Sequence, residues 1–243
     1  MNAAIPDPLQ KDILEFTQSL SAALGDDCVS IVLYGGMVKG KKIRETDNVN
    51  LMLVVKEIRT EVLDRIADPY LQHKRAKQFQ MLSLSEEDLK SSTDVFPIKF
   101  LDMQQDYEVL AGTDLVAGLE ISKANLRIRC EQEIKNLMLR LRQTYIANSS
   151  KPKVLSKTMT QCYFAFISGL DVLAELSTGQ VYRQDDDILN AGEELGLNME
   201  PVRRIRELRN GKVFDNPSEQ HSTYEDFMAT VRQAAAMADQ LEA

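Results

Sequence analysis

Histidine is scarce in this chain. His73 and His221 are the only two in 243 residues, and they stand far apart in sequence. That excludes a histidine-rich metal centre, so any metal would have to sit among oxygen ligands. It also leaves no Ser-His-Asp or Cys-His arrangement to argue for. Cysteine is as sparse: Cys28, Cys130 and Cys162 are odd in number, widely spaced and form no CxxC. They read as reduced, buried structural thiols. No apolar run approaches the roughly 20 residues that span a bilayer, and "MNAAIPDPLQKDILEF" lacks the basic and apolar regions of a signal peptide. The expectation is a cytoplasmic protein with no membrane partner. Positive charge is in deficit. A net charge of −8 argues against general nucleic-acid binding, which needs a basic face to displace counterions, yet leaves room for a local basic pocket. There is no internal repeat and no low-complexity tract.

What is present is ordinary for a soluble globular protein, with 44% hydrophobic and 27% charged residues. The length suits one large domain or two small ones. Leu9, Ile13, Phe16, Leu20 and Leu24 recur at helical spacing, and Gly25 closes that helix. "CVSIVLY" (Cys28–Tyr34) and "VNLMLVV" (Val49–Val55) are near-continuous apolar runs, as expected of strands covered on both faces. A helical pattern returns between Arg59 and Phe79, where Pro69 is expected to bend or break it. "QMLSL" near Met81 and "FPIKFLDM" (Phe96–Met103) read as two further short strands.

At about Gly118 the pattern becomes wholly helical. Long helices are expected from Leu119 to Ile146 and from Val154 to Leu176, with the turn-rich "SSKPK" between them. The second is more apolar and so central to a bundle. A third begins at Asp185–Asp187 with an aspartate as N-cap, and two more follow around Pro201–Asn210 and Tyr224–Leu241. The reading is an α/β domain over residues 1–117, with a small mixed sheet, followed by an all-α bundle over 118–243.

Chemistry concentrates in "SIVLYGGMVKGKKIRETDNVNLMLVV", Ser30 to Val55. Gly35 and Gly36 end a strand and allow close backbone approach to a phosphate, while Lys39, Lys41 and Lys42 crowd the following loop. One reading is a cradle for a nucleotide's phosphates. The plainer one is a turn followed by a solvated basic loop, because a glycine pair by itself is weak evidence. Elsewhere the plainer readings lead. "RRIRELRNGK" (Arg203–Lys212) reads as a solvated basic face, Asp185–Asp187 as a helix start, His73 as a surface helix residue, and Tyr163, Phe164 and Phe166 as bundle core.

The segment from Leu33 to Val55 resembles the signature of the polymerase-β-like nucleotidyltransferases, particularly the small bacterial group that includes kanamycin nucleotidyltransferase. In that family a strand ends in Gly-Ser or Gly-Gly, about ten residues of loop follow, and the next strand opens Asp-x-Asp among apolar residues. Gly35-Gly36 and "TDNVNLMLVV" match in spacing and hydrophobicity. The order "DVFPIKFLDM", "YEVLAGTDL" and the long helix "LRIRCEQEIKNLMLRLRQTY" extends the resemblance over most of the chain. In active members the resemblance implies two carboxylates, two residues apart on one face of a strand, holding a pair of Mg²⁺ ions against the triphosphate. A third carboxylate comes from a neighbouring strand.

Here the paired positions are Asn48 and Asn50, and alignment puts Lys99 at the third. An asparagine offers a neutral carbonyl where Mg²⁺ relies on anionic oxygen, and a lysine would repel the metal while neutralising a phosphate. The expectation is a catalytically degenerate protein, a pseudoenzyme, that retains a nucleotide or phosphate site at Gly35, Gly36, Lys39, Lys41 and Lys42 and needs no metal cofactor. A second reading is an active Mg²⁺-dependent nucleotidyltransferase acting on a small hydroxyl compound or a protein, with Asp47 or Asp102 as substitute ligand. Asp47 would face the opposite way from Asn48 on a regular strand, and both aspartates suit turns or strand ends. A third reading is an interaction module forming a homodimer through the helical half.

Overall fold

The computed structural model describes residues 2–40, 43–182 and 184–241. The chain divides into two compact units, Met1–Ser122 and Lys123–Ala243.

The first unit opens with α1 (Asp7–Leu24), which ends at Gly25 in a positive-φ conformation that glycine adopts without penalty. Next come β1 (Cys28–Tyr34), the short α2 (Gly36–Lys39), β2 (Val49–Val55), α3 (Thr60–Gln72) and β3 (Phe79–Ser85). α4 (Glu86–Ser92), α5 (Pro97–Gln105) and β4 (Tyr107–Gly112) complete it. The strands form one mixed sheet in the order β3-β2-β1-β4. β1 runs antiparallel to both β2 and β4, and β2 runs parallel to β3.

Both faces of the sheet are covered, which explains the unbroken apolar runs of β1 and β2. On one face Leu51, Leu53 and Val55 pack with Ile31 and Leu33 against Ile13, Phe16 and Leu20 of α1 and Val62 and Ile66 of α3. On the other, Met52, Val54 and Val32 pack against Leu89 of α4 and Phe100 and Met103 of α5.

Two local expectations are corrected in the first unit. "FPIKFLDM" is not a strand but the body of α5, with Pro97 at its first turn and Pro97, Phe100 and Met103 buried at a spacing of three. The fourth strand is instead Tyr107–Gly112. Pro69 does not break α3, which continues through it to Gln72. Proline there falls in the last turn, where the helix is about to end.

The second unit consists of α6 (Lys123–Asn148), α7 (Pro152–Thr178), α8 (Asp185–Glu194), α9 (Glu200–Arg209) and α10 (Pro217–Gln240). α7 touches each of the other four and buries Leu155, Met159, Phe166 and Leu170, as its apolar sequence implies. The N-cap of α8 is Gln184 rather than an aspartate, so Asp185, Asp186 and Asp187 all lie in the first turn. There they favour the helix dipole without capping.

Candidate functional site

The site grows from the way β1 turns into β2. Strand alternation sends Leu51, Leu53 and Val55 toward α1 and α3, and Met52 and Val54 toward α4 and α5. Asn50 therefore belongs to the α4–α5 face. The sheet register sets it beside Tyr34 on β1 and Gln80 on β3, and Tyr34 in turn pairs with Tyr107 on β4. In-register neighbours share a face. Gln80, Asn50, Tyr34 and Tyr107 thus form one row across the sheet, two amides and two phenols. Asn48 lies exposed just ahead of β2.

The glycine turn lies against the end of this row. Gly35 takes φ 75°. A β-carbon there would meet the Asn50 side-chain nitrogen at 3.4 Å, so the turn backbone and the Asn50 amide are close neighbours. The Gly35 N–H donates to the Asp106 carbonyl oxygen at 3.0 Å. The Asp106 carboxylate also pairs with the Lys39 ammonium at 3.6 Å. Asp106, immediately before β4, is therefore a carboxylate that the fold brings to the turn. Burial pushes up the phenol pKa of both tyrosines. For Tyr107 the effect is reinforced by Asp114, which accepts its hydroxyl proton at 2.9 Å.

No protein-family model matches the sequence, and no curated protein does. Among solved structures it is similar to spectinomycin adenyltransferase AAD(9) from Enterococcus faecialis, whose structure contains ATP and spectinomycin. The TM-score is 0.56 at 11% sequence identity, over 96% of this chain and all of that one. The chain has a nucleotidyltransferase-like fold.

In the nucleotidyltransferase-like fold, Gly35 lies against the Asn50 side chain, and Gly36 and Lys39 follow on α2 directly after it. Lys41 and Lys42 lie outside the described residues. Lys99 and Asp102 are exposed on α5, so neither occupies a strand position beside Asn50. The alignment that placed Lys99 there depended on reading α5 as a strand. Its alternating Phe96, Ile98 and Phe100 imitate a strand, whereas the helix follows from Pro97 and the buried spacing of three. The residue that faces Asn50 from the far strand is Gln80, which sequence reasoning missed. Asp106 was missed as well. It stands directly ahead of β4, whose half-buried sequence gives little sign of a strand.

Asp47 is taken up by the turn before β2. Its carboxylate accepts the Arg44 backbone N–H and the Arg44 guanidinium, both at 3.0 Å. That backbone hydrogen bond first, and then the guanidinium, hold its pKa below the ordinary value although partial burial opposes them. His73 is not a surface helix residue. It closes α3, half-buried between Phe16 and Phe79 with ring centroids 5.1 and 5.0 Å away.

In the second unit the basic run on α9 is engaged internally. Arg204 pairs with Glu219 at 2.6 Å, Arg206 with Asp186 at 2.6 Å and Lys212 with Glu207 at 2.7 Å. Arg209 lies 3.6 Å over the ring of Phe164, which is largely exposed rather than core as expected. Tyr163 and Phe166 are buried. Among the described residues, no group of three histidine, cysteine, aspartate or glutamate side chains could hold a metal ion.

Proposed function

We propose that this protein binds a nucleotide, or the phosphates of one, at the Gly35–Lys39 turn without a divalent metal, and that it does not transfer nucleotidyl groups. The observation that carries this reading is the row Gln80–Asn50–Tyr34–Tyr107. A two-metal site needs anionic oxygens on a strand and on its neighbour. The strand positions beside Asn50 hold an amide and a phenol instead, and Asn48 adds another amide. This donor set does not suit Mg²⁺. It suits hydrogen bonding to a phosphate or base, since an amide donates as well as accepts. Lys39 supplies the positive charge, and the glycines allow the ligand close to the backbone. The resemblance to a structure solved with ATP supports a nucleotide as the ligand class.

Asp106 favours a second reading, an active Mg²⁺-dependent transferase, because it is a carboxylate at the glycine turn. It is a single carboxylate, however, and Lys39 already occupies it at 3.6 Å. One anionic group shared with an ammonium is a poor substitute for a pair or triad.

The test is calorimetric titration of ATP and GTP in the presence of a chelator, on wild type and on Lys39→Ala. The expected outcome is binding by wild type, weakened about ten-fold or more by the substitution, the scale of a lost charge-assisted hydrogen bond. Binding that appears only when Mg²⁺ is supplied would favour the transferase.

A further inference from the structure

The loop between β1 and β2 carries Gly35, Gly36 and Lys39 of the proposed site, and side chains distant in sequence hold both of its ends. At the α2 end the Asn2 side-chain amide donates to the carbonyl oxygens of Val38 at 2.9 Å, Gly40 at 3.0 Å and Met37 at 3.2 Å. These carbonyls are among those a short helix leaves without partners. The Asn2 side chain is itself oriented, because its Oδ1 accepts the Ala4 N–H at 2.9 Å.

At the β2 end the parallel pairing of β2 and β3, with Val49 beside Phe79, brings the approach to each strand alongside the other. The Gln78 amide donates to the carbonyl of Glu45 at 2.6 Å and to that of Asp47 at 3.3 Å. Arg75 adds a bond to the Glu45 carbonyl at 3.2 Å and an ion pair with its carboxylate at 3.3 Å. Arg75 is anchored from behind by the buried Asp12, at 2.5 Å from its Nε. Asp12 is only 1% exposed, yet it lies on α1, far in sequence from the Glu45 end of the loop it helps to fix.

We infer that Asn2 at one end, and Gln78 with Arg75 at the other, are positioning residues that hold the two ends of the β1–β2 loop, residues 35–40 and 43–48, in the conformation that binds the nucleotide. This rests on the nucleotide-binding reading above. Loop ends fixed before the ligand arrives avoid the conformational entropy cost of ordering them on binding. Gln78 and Arg75 would touch no ligand atom; they act through the Glu45 and Asp47 carbonyls.

Gln78→Leu and Arg75→Lys test this, with Lys39→Ala as the contrast. Lysine at 75 keeps a cation beside Asp12, so the fold is preserved, but it lacks the fork that also reaches Glu45. Amide hydrogen exchange across residues 38–48 reads the loop directly, and exchange in β3 reports whether the sheet is intact. ATP titration reads the site. Both clamp variants are expected to speed exchange in the loop, leave β3 protected and weaken ATP binding about ten-fold, the effect of one or two lost hydrogen bonds. Lys39→Ala is expected to weaken binding without loosening the loop. Unchanged loop exchange in both clamp variants would overturn the inference. So would a loosened loop that still binds ATP with wild-type affinity, and the nucleotide reading would then survive. Wild type that binds no ATP at all would overturn that reading, and the positioning role with it.

Discussion

Gly35 and Gly112 both sit at positive φ, 75° and 79°, but they would tolerate a methyl group differently. At Gly35 the added carbon meets the Asn50 amide at 3.4 Å, an ordinary contact. At Gly112 it would lie 2.1 Å from the carbonyl oxygen of Val29, which is backbone and cannot swing away. Gly35→Ala should therefore cost only the backbone strain, about 1–3 kcal/mol. Gly112→Ala forces β1 and β4 apart and should cost about 3 kcal/mol or more. Urea unfolding of both variants measures the difference, and equal costs would contradict this account of the β1–β4 edge. At the same scale, Asn50 and Gln80 differ from carboxylates in charge and in donating hydrogen bonds, not in size. A row of amides can keep the shape of a metal-binding site while changing what the site attracts.

Among the elements, the turn that joins α3 to β3 carries a pH dependence. Burial among Phe16 and Phe79 lowers the pKa of His73 below the ordinary histidine value, although the nearby Asp12 and Glu15 oppose the shift and Lys74 assists it. Its Nδ1 accepts the Arg75 N–H at 3.2 Å, a role that requires that nitrogen to be unprotonated. A lowered folded-state pKa means that the unfolded chain takes up the proton first. The contribution is fully present above the unfolded value of about 6.5 and is lost as pH falls below it. Wild type should lose more stability between pH 7.5 and pH 5.5 than His73→Phe does, as read by urea midpoints. A larger loss in the variant would refute this. Elements with strong patterns, such as α1, β1, β2 and α7, were legible because their apolar periodicity matches the faces they bury. α5 was not, since Phe96, Ile98 and Phe100 alternate like a strand while Pro97 starts a helix. β4 was missed in turn: five of its six residues are half-buried, so its pattern is weak.

Over the whole chain, what escaped the sequence was long-range pairing. Gln80 stands beside Asn50 because β3 pairs in parallel with a strand thirty residues earlier, and no local spacing announces that. Asp106 reaches the glycine turn because β4 returns to the edge of β1. Gly35, Gly36, Lys39, Asn48 and Asn50 lie between the end of β1 and the start of β2, so their common place in the fold needed no long-range pairing. The basic run of α9, expected as a solvated face, instead has its cations largely paired with neighbouring carboxylates, several of them distant in sequence. The central claim is a nucleotide site that works without metal, and it can be tested by restoring the missing charge. Wild type and Asn48→Asp/Asn50→Asp would be titrated with ATP in Mg²⁺ and in chelator. The account predicts wild-type affinity indifferent to Mg²⁺ and a double variant that binds more tightly when Mg²⁺ is present. A wild-type protein that already requires Mg²⁺ would contradict it.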